Sequence, residues 1–559
     1  MHITFFGAAQ MVTGSCTMVQ VNGKYLLVDC GLPQGNDERE VGLDLPFRAD
    51  AIDYVFLTHA HIDHTGRIPL LVKEGFRGKI FATSATAQLC EIMLADSGHI
   101  QEMEAEWKSR KAVRAGKTGV EPLYTVKDAQ KALQFFESCV YDEICDIDEG
   151  IKVRFNDAGH LLGSSSIELW LKEGKERRKL VFSGDIGNFD QPLIKDPDYI
   201  DEADFVIMES TYGNRVHKKP ENAVGNNVPT HVRAQELADI IERTFKRGGN
   251  VIIPSFAVGR TQEILYLLRV VIEHKLCPTF SEIPVFVDSP LSVKATHVFA
   301  GNLFGYMDEE TMELVNKGIN PILFPSLVTI TDVADSIALN KRKESCVIIS
   351  SSGMCEAGRI KHHLKHNLYR SECSVLFSGY QAGGTLGRSI LDGARHVTIF
   401  GEQIDVRCEV CELHGISGHA DQEGLVKWLT SFKKEPRMAF IVHGDKEVAP
   451  WFASFVHRTL NIKAYAPTAM QRFDLLDEAA LPVSAVVDDK VVPYIRELHE
   501  ALEELKKQEV TLRSVVQRMQ DSGSEPHLDE KRAVRLTNAI NRLASDLEYL
   551  KIKWASDAD

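Results

Sequence analysis

The chain has 559 residues, 44% of them hydrophobic and 26% charged, which is the make-up of a soluble protein too long for one core. A net charge of −15 excludes a protein that coats nucleic acid by neutralising phosphates, although bound metal ions or a local basic cleft can still place positive charge at a site. No run approaches the roughly 18 to 20 apolar residues of a membrane span, the opening MHITFFGAAQMVTGSC lacks the pattern of a signal peptide, and eleven scattered cysteines read as reduced thiols in the cytoplasm.

Through the first 210 residues, short apolar runs each deliver a polar residue at their C-terminal end. KYLLVDC leads to Asp29, and DYVFLTHAH leads to His59 and His61. A helical stretch, SATAQLCEIMLADSGHIQEMEAEWKSR, follows. IKVRFNDAGH then leads to His160, RKLVFSGD to Asp185 and ADFVIMES to Glu209. Runs of this length, rich in β-branched and aromatic residues, predict buried strands. Metal-type residues at their ends predict one sheet edge where loops converge on a site.

From about 230 the texture becomes a fresh α/β alternation. VRAQELADIIERTFKRGGNVIIPSF predicts a helix, a Gly-Gly stop and a strand. RTQEILYLLRVVIEHKL predicts a helix, and IPVFVDSP, CVIISSSG and CSVLFSGY predict strands of a parallel sheet. The earlier chemistry returns at ISGHAD, residues 416–421, and at RMAFIVHGD, which leads to His443. The second unit is therefore expected as an insertion: 1–210 for the first unit, 211–385 for the insert and 386–467 for the return. Cys408 and Cys411 have C-x-x-C spacing but no second pair nearby, and DVRCEVCELHGIS reads as a strand with alternating faces. Residues 485–559 carry two apolar stripes at spacings of three and four, Ile495 to Met519 and Ala533 to Trp554, broken at Glu509. They predict an antiparallel helical hairpin that packs on its own chain, or else serves a homodimer or another partner.

LTHAHIDHTGRIP, residues 57–69, places His59, His61, Asp63 and His64 within six positions of a chain with 20 histidines. Lone histidines such as His2 or His274 are ordinary surface or core residues, whereas this cluster is a metal-binding pattern. His59 and His61 can point one way from an extended loop, and Asp63 and His64 face a second point. Two metals about 3.5 to 4 Å apart, sharing a hydroxide, are the expected product. Zinc suits the His/Asp set, and manganese suits the same geometry.

THAHIDHTG, AGHLLGSS and FSGDIGN resemble the metallo-β-lactamase superfamily. MESTYGNR, PSFAVGRTQEIL, VDSPLS, SSGMCEAGR, SGYQAGGTLGR, SGHADQ and VHGD narrow the resemblance to its β-CASP branch, nucleases related to the cleavage subunit of the polyadenylation machinery. The resemblance runs from residue 1 to about 467. It implies an α/β fold, a metallo-β-lactamase αββα sandwich with an inserted β-CASP α/β domain, to which the C-terminal helical hairpin is appended. It assigns His59, His61 and His160 to one zinc and Asp63, His64 and His443 to the other. Asp185 bridges them, and Asp29 orients ligands by hydrogen bonds. Asp63, Asp185, Glu209 and His419 form the catalytic set, with His419 as the acid for the leaving oxygen. Gly418 and Ala357 depart from the usual pattern without removing a ligand.

The implied reaction is hydrolysis of RNA phosphodiester bonds, in RNA processing or decay. Small residues after strands, in SSSGM and GGTLGR, let backbone N–H groups approach a phosphate. Ser351, Ser352, Gly353, Ser378 and Thr385 are the expected contacts, with Arg260, Arg359 and Arg388 as phosphate ligands. A cleft between two units fits single-stranded RNA better than a duplex. Two other readings stand beside this one: a small-molecule ester or thioester hydrolase, and a non-catalytic RNA-binding scaffold. Endonucleolytic and 5′-exonucleolytic cleavage are both left open.

Overall fold

The computed structural model describes residues 1–114, 118–217 and 229–481, so the hairpin expected over 485–559 lies outside the described residues. An eight-stranded and a seven-stranded sheet pack face to face. Alternate residues of their strands meet between them: Ile3 and Phe5, Leu26 and Val28, Val153 and Phe155, Ile167 and Leu169, Leu180 and Phe182, Phe205 and Ile207. That alternation is the period of two of a strand with one face turned to each layer. The other face of the seven-stranded sheet, with Val181, Val206, Met208, Ala439 and Ile441, is covered by Leu425, Trp428, Phe452 and Val456 of helices Gln422–Thr430 and Val448–Leu460. Leu27, Val55, Ile80 and Ala82 of the eight-stranded sheet pack with Leu71 of helix Ile68–Lys73 and with Leu89 and Met93 of helix Ser84–Arg114. The layers are thus helix, sheet, sheet, helix.

A third sheet has six strands, and every pairing in it is parallel. Its order is Leu327–Ile330, Val285–Asp288, Val347–Ser350, Val251–Pro254, Ser374–Phe377 and Glu409–Glu412. The three strands from Val347, Val251 and Ser374 are buried at all four positions, as strands covered on both faces must be. Helix Thr230–Lys246 ends where Gly248 takes a φ of 77°, which is the stop expected from the Gly-Gly pair. Helix Arg260–Glu273 is buried along nearly all its length.

The sequence places the return to the first unit at residue 386, whereas Glu409–Glu412 pairs in parallel with Ser374–Phe377 and forms the edge of the third sheet. Its backbone completes that ladder, so the chain does not rejoin the first unit until after Glu412. Cys408 and Cys411 sit at this strand as free thiols.

Candidate metal centre and active site

In each sandwich sheet, the strands that lead to the site run the same way. Lys24–Val28 is parallel to Tyr54–Phe56, and Glu176–Phe182, Phe205–Glu209 and Met438–Val442 are mutually parallel. Ile151–Asp157 shares their direction through two antiparallel steps. The residues at or just beyond these ends, Asp29, His59, His160, Asp185, Glu209 and His443, therefore meet at one edge. All are nearly or fully buried. Gly31 allows the first loop to close: a Cβ there would lie 1.6 Å from the carbonyl oxygen of Asp63.

His59, His61, His160 and Asp185 offer ligand atoms to one point, and Asp63, His64 and His443 to a second. His59 Nε2 is 3.0 Å from His61 Nδ1, which is 3.2 Å from His160 Nε2. His64 Nε2 is 3.2 Å from His443 Nε2. Donors about 2.0–2.1 Å from a tetrahedral ion lie about 3.3 Å apart, so these spacings fit a metal. Asp185 lies between the points. Its Oδ2 is 3.5 Å from His59 and His160 Nε2, and its Oδ1 is 3.3 Å from His64 and 3.5 Å from His443 Nε2. Asp185 Oδ1 is buried without a hydrogen-bond partner, as a carboxylate oxygen kept for a cation would be.

Hydrogen bonds fix the rings. His64 Nδ1 donates to Asp29 Oδ2 at 2.7 Å, which turns Nε2 to the centre. Asp29 in turn accepts from the Thr58 amide at 2.8 Å. His160 Nδ1 donates to the Gly418 carbonyl at 2.8 Å. Thr211 Oγ1 lies 3.0 Å from His443 Nδ1. Burial, reinforced by neighbouring imidazoles, pulls His59 and His160 well below the usual imidazole range. Burial likewise lowers His61. These neutral rings can offer lone pairs. Burial acts on His64 and His443 too, but Asp185, with Asp29 or Asp63, overcomes it and raises both. Asp185 is held well below the carboxylate range because the surrounding imidazoles outweigh its burial.

Beside the centre, His419 Nδ1 donates to Glu209 Oε1 at 3.1 Å, and its Nε2 is 3.9 Å from Asp185 Oδ2. Glu209 is clamped by the Ile186 amide at 2.6 Å. Burial opposes charge on His419, but Glu209 and Asp185 lift it up to about 9. His217 Nε2 donates to the His419 carbonyl at 2.9 Å. His217, Thr211, Tyr212 and Arg215 carried no role in the sequence reading; the only signal was their place in or beside the MESTYGNR stretch.

The third sheet turns its C-terminal edge to this centre, since Glu412 leads within seven residues to His419. Arg260 is buried, pairs with Glu263, and has Nη2 3.7 Å from where a Cβ of Gly418 would stand. Ser351 Oγ is 2.8 Å from Ser289 Oγ, and Ser352 Oγ accepts from the Glu356 amide. The Gly353 carbonyl accepts from Gln381 Nε2, and Ser378 Oγ is 3.5 Å from the Pro254 carbonyl. Arg359 is committed to Asp288 Oδ1 at 2.6 Å and to the Thr331 carbonyl at 2.5 Å. Arg388 pairs with Asp392 one turn along its helix, and Thr385 caps that helix by accepting from the Arg388 amide. Arg359 and Arg388 are thus already neutralised by carboxylates.

Among the described residues no helix is long and apolar enough to cross a membrane. Family models match in the order of the folded parts: the metallo-beta-lactamase superfamily over residues 10–78, a Beta-Casp domain over 261–390, and a Zn-dependent metallo-hydrolase RNA specificity domain over 403–467. A protein of Thermus thermophilus named ribonuclease TTHA0252 is 36% identical over 447 residues, covering 80% of this chain and 94% of that one. An RNase J-like protein of Methanocaldococcus jannaschii is 31% identical over 467 residues, 83% and 97% of the two chains. Transcription termination factor FttA of Methanosarcina mazei is 29% identical over 490 residues, 85% and 72% of the two chains. With the same order of parts, and this identity over nearly the whole of the Thermus and Methanocaldococcus proteins, the chain belongs to the β-CASP ribonuclease branch of the metallo-β-lactamase superfamily.

Proposed function

We propose that the chain is a metal-dependent ribonuclease that hydrolyses phosphodiester bonds of single-stranded RNA in the cytoplasm, in RNA processing or decay. The observation that carries this reading is the Glu209–His419 pair, whose free Nε2 stands 3.9 Å from Asp185. An ester or thioester hydrolase needs no such acid. The names of the Thermus ribonuclease and of the RNase J-like protein support RNA as the substrate.

His59, His61 and His160 would hold one ion and Asp63, His64 and His443 the other, with Asp185 lying between the two points. Two zinc ions bound there, or manganese in their place, supply an activated water at neutral pH and offset charge on the phosphoryl oxygens. His419 holds a proton on Nε2 for the departing 3′ oxygen, so the products carry a 5′ phosphate and a 3′ hydroxyl. Glu209, accepting from Nδ1, keeps that ring charged and in place. Asp29 and the Gly418 carbonyl hold His64 and His160 in the tautomers that face the ions.

The test is single-stranded RNA labelled separately at its 5′ and 3′ ends, with metal content measured on each protein. Wild type is expected to cut; His59→Ala loses metal and cleavage; His419→Ala loses cleavage and keeps its metal. The label pattern separates endonucleolytic from 5′-exonucleolytic cutting. A wild type loaded with metal that leaves RNA intact refutes the assignment.

A further inference from the structure

Each arginine singled out from sequence has a carboxylate partner: Arg260 has Glu263, Arg359 has Asp288 and Arg388 has Asp392. Arg215 differs. It is exposed, and among the described residues no carboxylate pairs with it. Its guanidinium lies instead against two rings that pack edge to face, 4.4 Å from the centroid of Tyr212 and 5.0 Å from that of Tyr380. The cluster reaches the active site, because Tyr212 packs edge-on to His419 with centroids 5.9 Å apart.

The cluster also joins the two units, since the Tyr212 and Tyr380 rings pack edge to face with centroids 6.5 Å apart. Tyr212 follows strand Phe205–Glu209 of the sandwich, and Tyr380 follows Ser374–Phe377 of the third sheet. Tyr380 is 48% exposed, and Phe256, after the neighbouring strand Val251–Pro254, is 45% exposed. A Cβ on Gly353 would lie 2.9 Å from the Phe256 ring, so that ring rests on the Ser351–Gly353 loop. Exposed aromatic rings beside an unneutralised cation are the elements by which proteins hold unpaired nucleotides.

We propose that Arg215 and Tyr380 form a nucleotide subsite on the RNA path, with Arg215 binding a backbone phosphate next to the scissile one and Tyr380 stacking on a base. The subsite rests on the ribonuclease reading. The rings hold the guanidinium in one place without cancelling its charge, so a phosphate meets a fixed cation. Stacking makes the subsite tolerant of base identity and selective for single strands.

The test is binding of a fluorescent single-stranded oligoribonucleotide across a salt series, in the full chain carrying His419→Ala so that the RNA survives. Arg215→Gln is expected to weaken binding and to flatten the slope of log K against log salt by about 0.7, the value for one single-strand phosphate contact. Arg215→Lys is expected to keep the slope while binding more weakly. Tyr380→Ala is expected to weaken binding about tenfold, with Tyr380→Phe restoring it and the loss vanishing on RNA stripped of its bases. An unchanged slope for Arg215→Gln, or an equal loss on intact and abasic RNA for Tyr380→Ala, overturns the subsite. Wild-type cleavage of the same RNA is scored separately. If the wild type cuts while these variants bind normally, only the subsite falls; if it neither binds nor cuts, the ribonuclease reading falls with it.

Discussion

His64 and His443 face each other Nε2 to Nε2 at 3.2 Å. Asp29 Oδ2 accepts a hydrogen bond from His64 Nδ1, and Thr211 Oγ1 can accept one from His443 Nδ1. Both Nε2 atoms are then turned to one point, where the neutral rings offer their lone pairs to a single cation. Replacing His443 by Ala should lower the bound metal to about half and leave the protein less responsive to added zinc in thermal melts. Elemental analysis with a parallel melt checks this, and full metal content in His443→Ala would sink it.

Asp185 with Asp29 raises His64, and Asp185 with Asp63 raises His443, so in the metal-free protein protons compete for these two rings. Metal must displace them. Affinity should therefore fall as pH drops and rise as pH climbs, with protons released on binding. Calorimetry in buffers of different ionisation heat measures the protons directly; a pH-independent affinity would count against the ligand set.

His419, lifted up to about 9, must be protonated to act as an acid. The rate kcat/KM should fall as pH rises through about 9, and His419→Ala should cost about 100- to 10,000-fold. Glu209→Gln removes a charge that holds the imidazole up, so its falling limb should move to lower pH. A limb that stays in place when Glu209 is changed would assign the proton to another group.

Arg359 should prove structural. Asp288 is fully buried and accepts from Arg359, from Ser336 at 2.5 Å and from His363 at 2.7 Å. Arg359→Ala should destabilise the fold by about 1 to 3 kcal/mol. Chemical denaturation measures that loss. An unchanged midpoint with weakened RNA binding would restore Arg359 as a phosphate ligand.

Gly31→Ala puts a methyl against the Asp63 carbonyl, where backbone rather than a flexible side chain would have to move. The loop that carries His61, Asp63 and His64 should shift, with loss of metal and a lower melting temperature. Normal metal content in that variant would show the loop to be more compliant than its packing implies.

The metal cluster was legible because its ligands crowd into six positions and the remaining ones each close an apolar run, a local pattern needing no tertiary knowledge. The buried sheets were legible for the same reason. What the sequence hid is pairing at a distance. Nothing near Arg359 announces Asp288, 71 residues away, as its partner. Nothing in EVCE says that its edge joins Ser374–Phe377 and not the sandwich. Arg215 has no local signal, because its ring partner Tyr380 arrives from another sheet.

Strand Met438–Val442 pairs with Phe205–Glu209, and only then does His443 reach His64. During synthesis the chain is made from its N-terminus. The first five strand ends are translated long before this last one, with the whole third sheet made between them. A ribosome-bound chain that has reached Asp185 or even Glu209 thus lacks both His419 and His443. Synthesis in this order completes the second and third clusters of ligand-type residues only when nearly all of the described fold has been made.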